Sequence, residues 1–267
     1  NDTAGTVTNS SNVTSTGSKD YVIYSAGTVN NSGNLNLTSG TGNVGIYSIK
    51  GGTATNTGTI SIGGSDVTNN AYSIGMAAGY STTDTGNIIN NGTINVNGES
   101  GIGMFASGSG STVTNNSTIM LNANKTTGIY ADNGATAINS GTIKTGSGPY
   151  SDVVGVYLGQ GSKLINNKGA TIDINSSNGI GVYLKGGTVA NYGTLKVNGE
   201  TDDDKTTYTF TTPPTGKEIG GVSIDAPAGA TSATITVNGV PQTPVVVNTI
   251  AENPISVSAS SIGLYVN

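Results

Sequence analysis

Apolar and polar positions alternate along this chain in short bursts, and the bursts return in a fixed order. Between Gly179 and Gly199, Ile180, Val182 and Leu184 alternate with Gly181, Tyr183 and Lys185. That period of two predicts a strand with its aliphatic set facing inward. Gly186-Gly187 marks a corner. Thr188-Val189-Ala190 reads as a short second strand and Asn191-Tyr192-Gly193 as another turn, and Leu195 and Val197 flank Lys196 in a third strand. No apolar stripe at helical spacing occurs anywhere, so the chain reads as all-β.

The same frame repeats. One phrase appears as Asn31-Ser32-Gly33-Asn34-Leu35, Asn56-Thr57-Gly58-Thr59-Ile60, Asn90-Asn91-Gly92-Thr93-Ile94, Asn139-Ser140-Gly141-Thr142-Ile143 and Asn191-Tyr192-Gly193-Thr194-Leu195. A second precedes each copy: Val44-Gly45-Ile46-Tyr47, Ile74-Gly75-Met76, Ile102-Gly103-Met104-Phe105, Val154-Gly155-Val156-Tyr157, Ile180-Gly181-Val182-Tyr183 and Ile262-Gly263-Leu264-Tyr265. Two phrases recurring at a period of roughly 25 residues predict a solenoid. Three strands and three corners per turn make it a single parallel β-helix. The expectation is nine to ten rungs, a rod on the order of 50 Å at the usual strand spacing.

The most regular polar position is the Asn opening the second turn: Asn9, Asn31, Asn56, Asn90, Asn115, Asn139, Asn167 and Asn191. Stacked rung on rung, these amides are expected to bond to one another and to turn backbone as a structural ladder. On the outward side of the first strand lie Tyr24, Tyr47, Phe105, Tyr130, Tyr157, Tyr183 and Tyr265, interrupted near Ala77 and Ser223. Such a stripe stiffens a sheet and also makes a contact surface. Tyr130, Tyr157 and Tyr183 are therefore candidate binding residues.

Residues 1–199 read as regular rungs and 200–267 as a continuing helix with long insertions near 200–218 and 240–260. Between the insertions one degenerate rung is expected: Gly221-Val222-Ser223-Ile224 as its first strand, and Thr231 to Gly239, with Ile235 and Val237 inward, as its second turn and third strand. Thr207 to Thr211 and Val245-Val246-Val247 suggest a small protruding hairpin. Shorter variable stretches at 63–72, 122–127, 145–153 and 175–178 occupy the same corner as the insertions. Long loops on one edge of a rigid scaffold are where binding residues concentrate, so Asp202, Asp203, Asp204, Tyr208 and Phe210 join the candidates.

Composition then narrows the chemistry. Gly, Ser, Thr and Asn make up roughly half the chain, as in disordered linkers, but the apolar period argues for a fold. The chain has no Cys, His or Trp, and its ten basic residues are all Lys. Disulfides, thiolate metal sites and His-based catalysis are excluded. A net charge of −5 without Arg disfavours nucleic acid and anionic membranes, and no apolar run is long enough for direct membrane insertion. Asp202-Asp203-Asp204 lacks the spacing of a calcium loop, and Gly63-Gly64-Ser65-Asp66 is a single copy of a motif that works in series. Asp132, Asp152 and Asp173 are the carboxylates that could meet on successive rungs for glycan hydrolysis, but Asp173 falls between Lys144 and Lys196. The expectation is a chain with no enzyme activity, no cofactor and no metal.

The Asn-Ser-Gly-Thr-Ile and Gly-Ile-Gly-Val-Tyr phrases resemble the repeats of large type V autotransporter passengers, particularly fusobacterial outer-membrane adhesins. The likeness covers about residues 5–199 and 220–267. It implies a right-handed parallel β-helix displayed at the cell surface by a C-terminal outer-membrane barrel that this sequence does not contain. It implies an adhesin segment, a monomer, meeting a host or bacterial cell-surface protein or glycan. The alternatives are a passive spacer and a polysaccharide-active β-helix enzyme.

Overall fold

The computed structural model describes residues 5–81 and 83–198 and, beyond them, the strands Lys205–Thr211, Ser232–Val237, Val240–Pro241, Ser256–Ser258 and Ile262–Val266. The chain winds as an all-β parallel solenoid of about eight turns with three sheets. One turn consists of Ile102–Ser107, Thr112–Asn115 and Thr118–Leu121. Each of these strands pairs in parallel with its counterpart on the next turn, so that Met104 sits beside Ile129, Val113 beside Ala137 and Ile119 beside Ile143. The sequence period is thereby a spatial one: residues one repeat apart are nearest neighbours.

The third-strand aliphatic pairs Leu35/Leu37, Ile60/Ile62, Ile94/Val96, Ile119/Leu121, Ile172/Ile174 and Leu195/Val197 are all buried in one axial core. Each fully buried side chain of this size contributes about 1.5–3 kcal/mol relative to exposure. The sole helical element among the described residues is a 3₁₀ turn, Val67–Asn69.

Three expectations are corrected. Eight turns make a stack on the order of 40 Å, shorter than nine to ten would, because Ile262–Val266 stacks directly on Ile180–Leu184 and Ser256–Ser258 directly on Thr194–Asn198. Secondly, Ser232–Val237, with Ile235 and Val237, is not a third strand of the stack. It runs antiparallel to Lys205–Thr211, which itself pairs antiparallel with Ser256–Ser258. Alternation of apolar residues is the same in either pairing sense, so the pattern of 231–237 fits a hairpin as well as a rung. Residues 221–224 and 245–247 lie outside the described residues.

Thirdly, the glycine of the first-strand phrase faces the core. Gly181 and Val182 are both buried, whereas Ile180 and Val154 are half-buried. A Cβ on Gly155 would meet the Ile172 Cγ2 across the core at 2.7 Å and the carbonyl oxygen of Gly181. The first-strand sheet therefore approaches the third-strand sheet along a glycine column, and the aliphatic residue before the glycine is left half-buried at Ile74, Val154 and Ile180.

Candidate functional site

The asparagines form a continuous ladder. Nδ2 of Asn9 donates to Oδ1 of Asn31, Asn31 to Asn56, Asn56 to Asn90, Asn90 to Asn115 and Asn115 to Asn139, at 2.7–3.0 Å. The same Nδ2 of Asn31 also donates to its own turn, to the carbonyl of Gly33 at 2.9 Å. From Asn139 the ladder passes to Asn166 and then Asn191, which corrects the expected Asn167. Residues 167–170 separate the strands Lys163–Asn166 and Thr171–Asn175, where only 140–141 separate the corresponding strands one turn earlier. The lengthened corner, with Gly169 at φ +83°, shifts the Asn-x-Gly phrase by one place. Asn167 instead donates to Ser140 Oγ at the surface. From Asn31 to Asn191 the ladder is buried and so offers no amide to a ligand.

The aromatic stripe stands on the outer face of the first-strand sheet. Phe105, Tyr130, Tyr157 and Tyr183 stack with ring centroids 5.7, 4.3 and 5.0 Å apart and planes within 12–26°. At the other end Tyr24 meets Tyr47 edge-on at 5.5 Å, and Tyr47 stacks on Tyr21 at 6.0 Å. Burial pushes the Tyr130 phenol well above its ordinary value, helped by Tyr157. Burial pushes Tyr47 up to about 12, with Tyr21, Tyr24, Asp84 and Tyr80 adding to the effect. Its hydroxyl donates to the Gly79 carbonyl at 3.1 Å.

Between Tyr47 and Phe105 the register position belongs to Ala77. The column lacks one ring there, and the turn that carries Ala77 departs from the others in three ways. Among the turns up to Asn198, its link from third to first strand, 63–73, is the longest of its kind, the next being 146–153. Its link from first to second strand, 79–86, is also the longest of its kind. In the turns around it, the residue two before the first strand has left-handed backbone (Lys19, Gly42, Ser100, Lys125, Asp152 and Asn178), whereas here Asn70, four before, takes that conformation. The first excursion is pinned by paired backbone bonds between Asp66 and Ala71 at 2.9 Å and by Ser65 N–H to the Glu99 carbonyl. Asp66 accepts from the Asn69 side chain at 2.6 Å, which holds its carboxyl below its ordinary value. The Gly63-Gly64-Ser65-Asp66 motif is thus the start of a capped turn. The second excursion is pinned by Lys50 N–H to Asp84 Oδ1 at 2.6 Å and Gly51 N–H to the Thr85 carbonyl at 2.7 Å.

Together these features leave a cleft of about 320 Å³ beside Ala77, whose own side chain is buried. Val44, Ile74 and Ala77 lie along it, Tyr21, Tyr47 and Phe105 are its aromatic sides, and Lys19, Asn69, Asn70 and Tyr72 its rim. Five large hydrophobic residues are exposed among the described residues: Tyr21, Tyr24, Val67, Tyr72 and Tyr80. All five belong to this end of the column or to the two excursions that bracket the gap. Exposed apolar surface gathered in one place marks an interaction site.

The remaining candidates are dispersed. Asp202, Asp203 and Asp204 lie outside the described residues, and Tyr208 and Phe210 are placed only as backbone, on Lys205–Thr211. Asp132 ends a first strand, Asp152 sits in a corner bonded to Asn178, and Asp173 lies in the third-strand sheet beside Lys196 at 3.8 Å. The three carboxylates do not converge, and no group able to hold a metal ion is found among the described residues. The cleft residues Tyr21, Tyr72, Asn69 and Asn70 escaped sequence reasoning. The signal was the coincidence of the stripe's break at Ala77 with the variable stretch 63–72 in one repeat.

Among the described residues no helix is long and apolar enough to cross a membrane. Comparison with curated proteins and with solved structures finds no match. A family model, the BigA third pectate lyase-like domain, matches residues 1–142, a stretch that includes the Ala77 turn. Since that match spans more than half of the 267 residues, the chain belongs to the family of the BigA third pectate lyase-like domain.

Proposed function

We propose that this chain is a segment of a bacterial autotransporter passenger that acts as an adhesin at the cell surface, carried by an outer-membrane barrel encoded elsewhere in the full protein. The observation that carries the reading is the exposed aromatic face of the first-strand sheet, with its cleft at Ala77. A spacer needs rungs, whereas it has no use for five exposed large hydrophobic residues clustered around one turn. Membership of the BigA family and the resemblance of the repeats to type V adhesins support the cell-surface setting. The rigid stack supplies preorganisation: a partner meets side chains already ordered by their neighbours, so little entropy is lost on binding. We read the segment as a non-catalytic monomer, since its sequence holds no His or Arg and one chain supplies all three faces.

The test is attachment of the purified chain to host epithelial cells and to neighbouring bacteria, beside two variants. One replaces Tyr21, Tyr24, Tyr72 and Tyr80 with Ser. The other lacks 200–218 and 240–260. Loss of attachment in the first variant is the expected result. Loss only in the second moves the binding face to the insertions, and attachment by none of the three proteins leaves a stalk.

A further inference from the structure

Tyr130, Tyr157 and Tyr183 hold one register position on three consecutive parallel strands. Their rings stack at 4.3 and 5.0 Å with planes 12° and 13° apart. Tyr157 helps burial to hold the Tyr130 phenol in its protonated form, so the hydroxyl ends are neighbours too. All three are half-buried, which keeps part of each ring at the surface. On one side the run of phenols stops at Phe105, which stacks on Tyr130 at 5.7 Å. The chain has no Cys and no Trp to compete with tyrosine for an oxidant, and of its three Met, Met76 and Met104 are fully buried.

Independently of the adhesin reading, we propose that Tyr130 and Tyr157 form an oxidative crosslinking site. Hydrogen peroxide and a haem peroxidase join the two rings into dityrosine and staple adjacent turns of the solenoid. Each phenol gives up one electron and one proton, leaving two phenoxyl radicals. A carbon–carbon bond forms between ring carbons ortho to the hydroxyls. The hydrogen on each of those carbons then passes through water to its own oxygen, restoring both phenols. The two electrons and two protons reduce one hydrogen peroxide to two waters. Stacking supplies what the coupling needs, two reacting groups held side by side. The rings stand on the outer face of the sheet, where they can swing from stacked to edge-joined without disturbing the core. Tyr157–Tyr183 is the second choice at 5.0 Å, and Tyr130 and Tyr183 are two strand spacings apart, about 9.6 Å, too far to couple. Tyr47, stacked on Tyr21 at 6.0 Å, is tied by its hydroxyl to the Gly79 carbonyl. A 130–157 bond closes one whole turn of the chain and, like a disulfide, stabilises by restricting the unfolded state.

The test treats the dilute purified chain with hydrogen peroxide and a haem peroxidase. Dityrosine is read by its fluorescence in the monomer fraction and located by mass spectrometry of proteolytic peptides. Expected are a crosslink between the peptides carrying Tyr130 and Tyr157, with loss of two hydrogens, and a higher urea midpoint for the crosslinked monomer. Tyr157→Phe keeps a stacked ring but removes the shared partner. It should lower monomer dityrosine at least fivefold while the untreated variant unfolds at the wild-type midpoint. Tyr192→Phe, outside the column, should leave the yield unchanged. The same treatment in denaturing urea should give little 130–157 product, because the register is gone. Equal monomer dityrosine in the wild type and Tyr157→Phe overturns the proposal, as does dityrosine confined to covalent dimers. So do a 130–157 yield that survives denaturation and a urea midpoint unchanged by the crosslink.

Discussion

Gly103 and Ile119 stand so close across the core that no side chain fits between them: a Cβ on Gly103 would lie 2.7 Å from Ile119 Cγ2 and 2.6 Å from the carbonyl oxygen of Gly128 on the next turn. The same contact recurs for Gly75 with Ile94 and Gly128 with Ile143. The two sequence phrases are thus halves of one packing unit, the glycine of one admitting the isoleucine of the other. Overpacking of this kind costs about 1–3 kcal/mol. Gly103→Ala should lower stability by that amount in urea unfolding. Gly64→Ala, where the nearest atom is 3.4 Å away, should stay within about 0.5 kcal/mol of the wild type.

The ladder gives a second contrast. Asn115 is fully buried, donates to Asn139 and to the Ser117 carbonyl, and accepts from Asn90. Asn115→Ala strips Asn90 of that acceptor and Asn139 Oδ1 of its Asn115 donor, a loss of about 1–3 kcal/mol for each buried group left unsatisfied. Asn166→Ala should behave alike, and the surface residue Asn167 should tolerate Ala within about 0.5 kcal/mol. Equal losses at 166 and 167 would contradict the register found at that corner.

Alkaline pH should loosen the aromatic face. Burial chiefly pushes the Tyr47 phenol up to about 12 in the folded chain, from its ordinary value of 10.0. A raised pKa means that the folded state holds a proton the unfolded state releases. The stabilisation is therefore complete below pH 10 and is lost as pH rises from 10 towards 12. Unfolding midpoints measured across that window should fall, and Tyr47→Phe should fall less steeply over the same interval.

Cysteine pairs can check how the chain returns from its long excursion. Lys196 and Ser256 occupy one register position on adjacent parallel strands, within the Cα separation a disulfide tolerates. Because the chain has no native Cys, oxidation of the Lys196→Cys, Ser256→Cys double variant should give one intramolecular crosslink, visible by mass spectrometry after proteolysis. A Thr236→Cys partner for Lys196→Cys, which a regular rung over 231–237 would favour, should not crosslink.

Where the sequence repeated, reading it was close to seeing the structure. Alternation placed Ile119 and Leu121 in the core, and the Asn phrase placed seven of the eight ladder residues named. The aromatic stripe was also visible, because its members share one place in each repeat. Failures came where one turn differs from its neighbours. Asn167 was chosen over Asn166 because the phrase was followed through a corner that had gained residues. Gly181 was assigned outward because strict alternation ignores the two successive buried residues at the glycine.

The sequence by itself determined the architecture, since in a solenoid each turn touches chiefly its neighbours and a period along the chain becomes a contact across strands. It determined the excluded chemistry as well, since no fold supplies a missing His or Cys. The tertiary structure alone decided that 63–73 and 79–86 bracket the same gap in the aromatic column. Those excursions are held by bonds to other turns, Ser65 to Glu99 and Gly51 to Thr85, which no local pattern encodes. It also decided that Ser232–Val237 pairs antiparallel, because alternation fixes which side chains share a face and leaves open which strand lies alongside and in which direction.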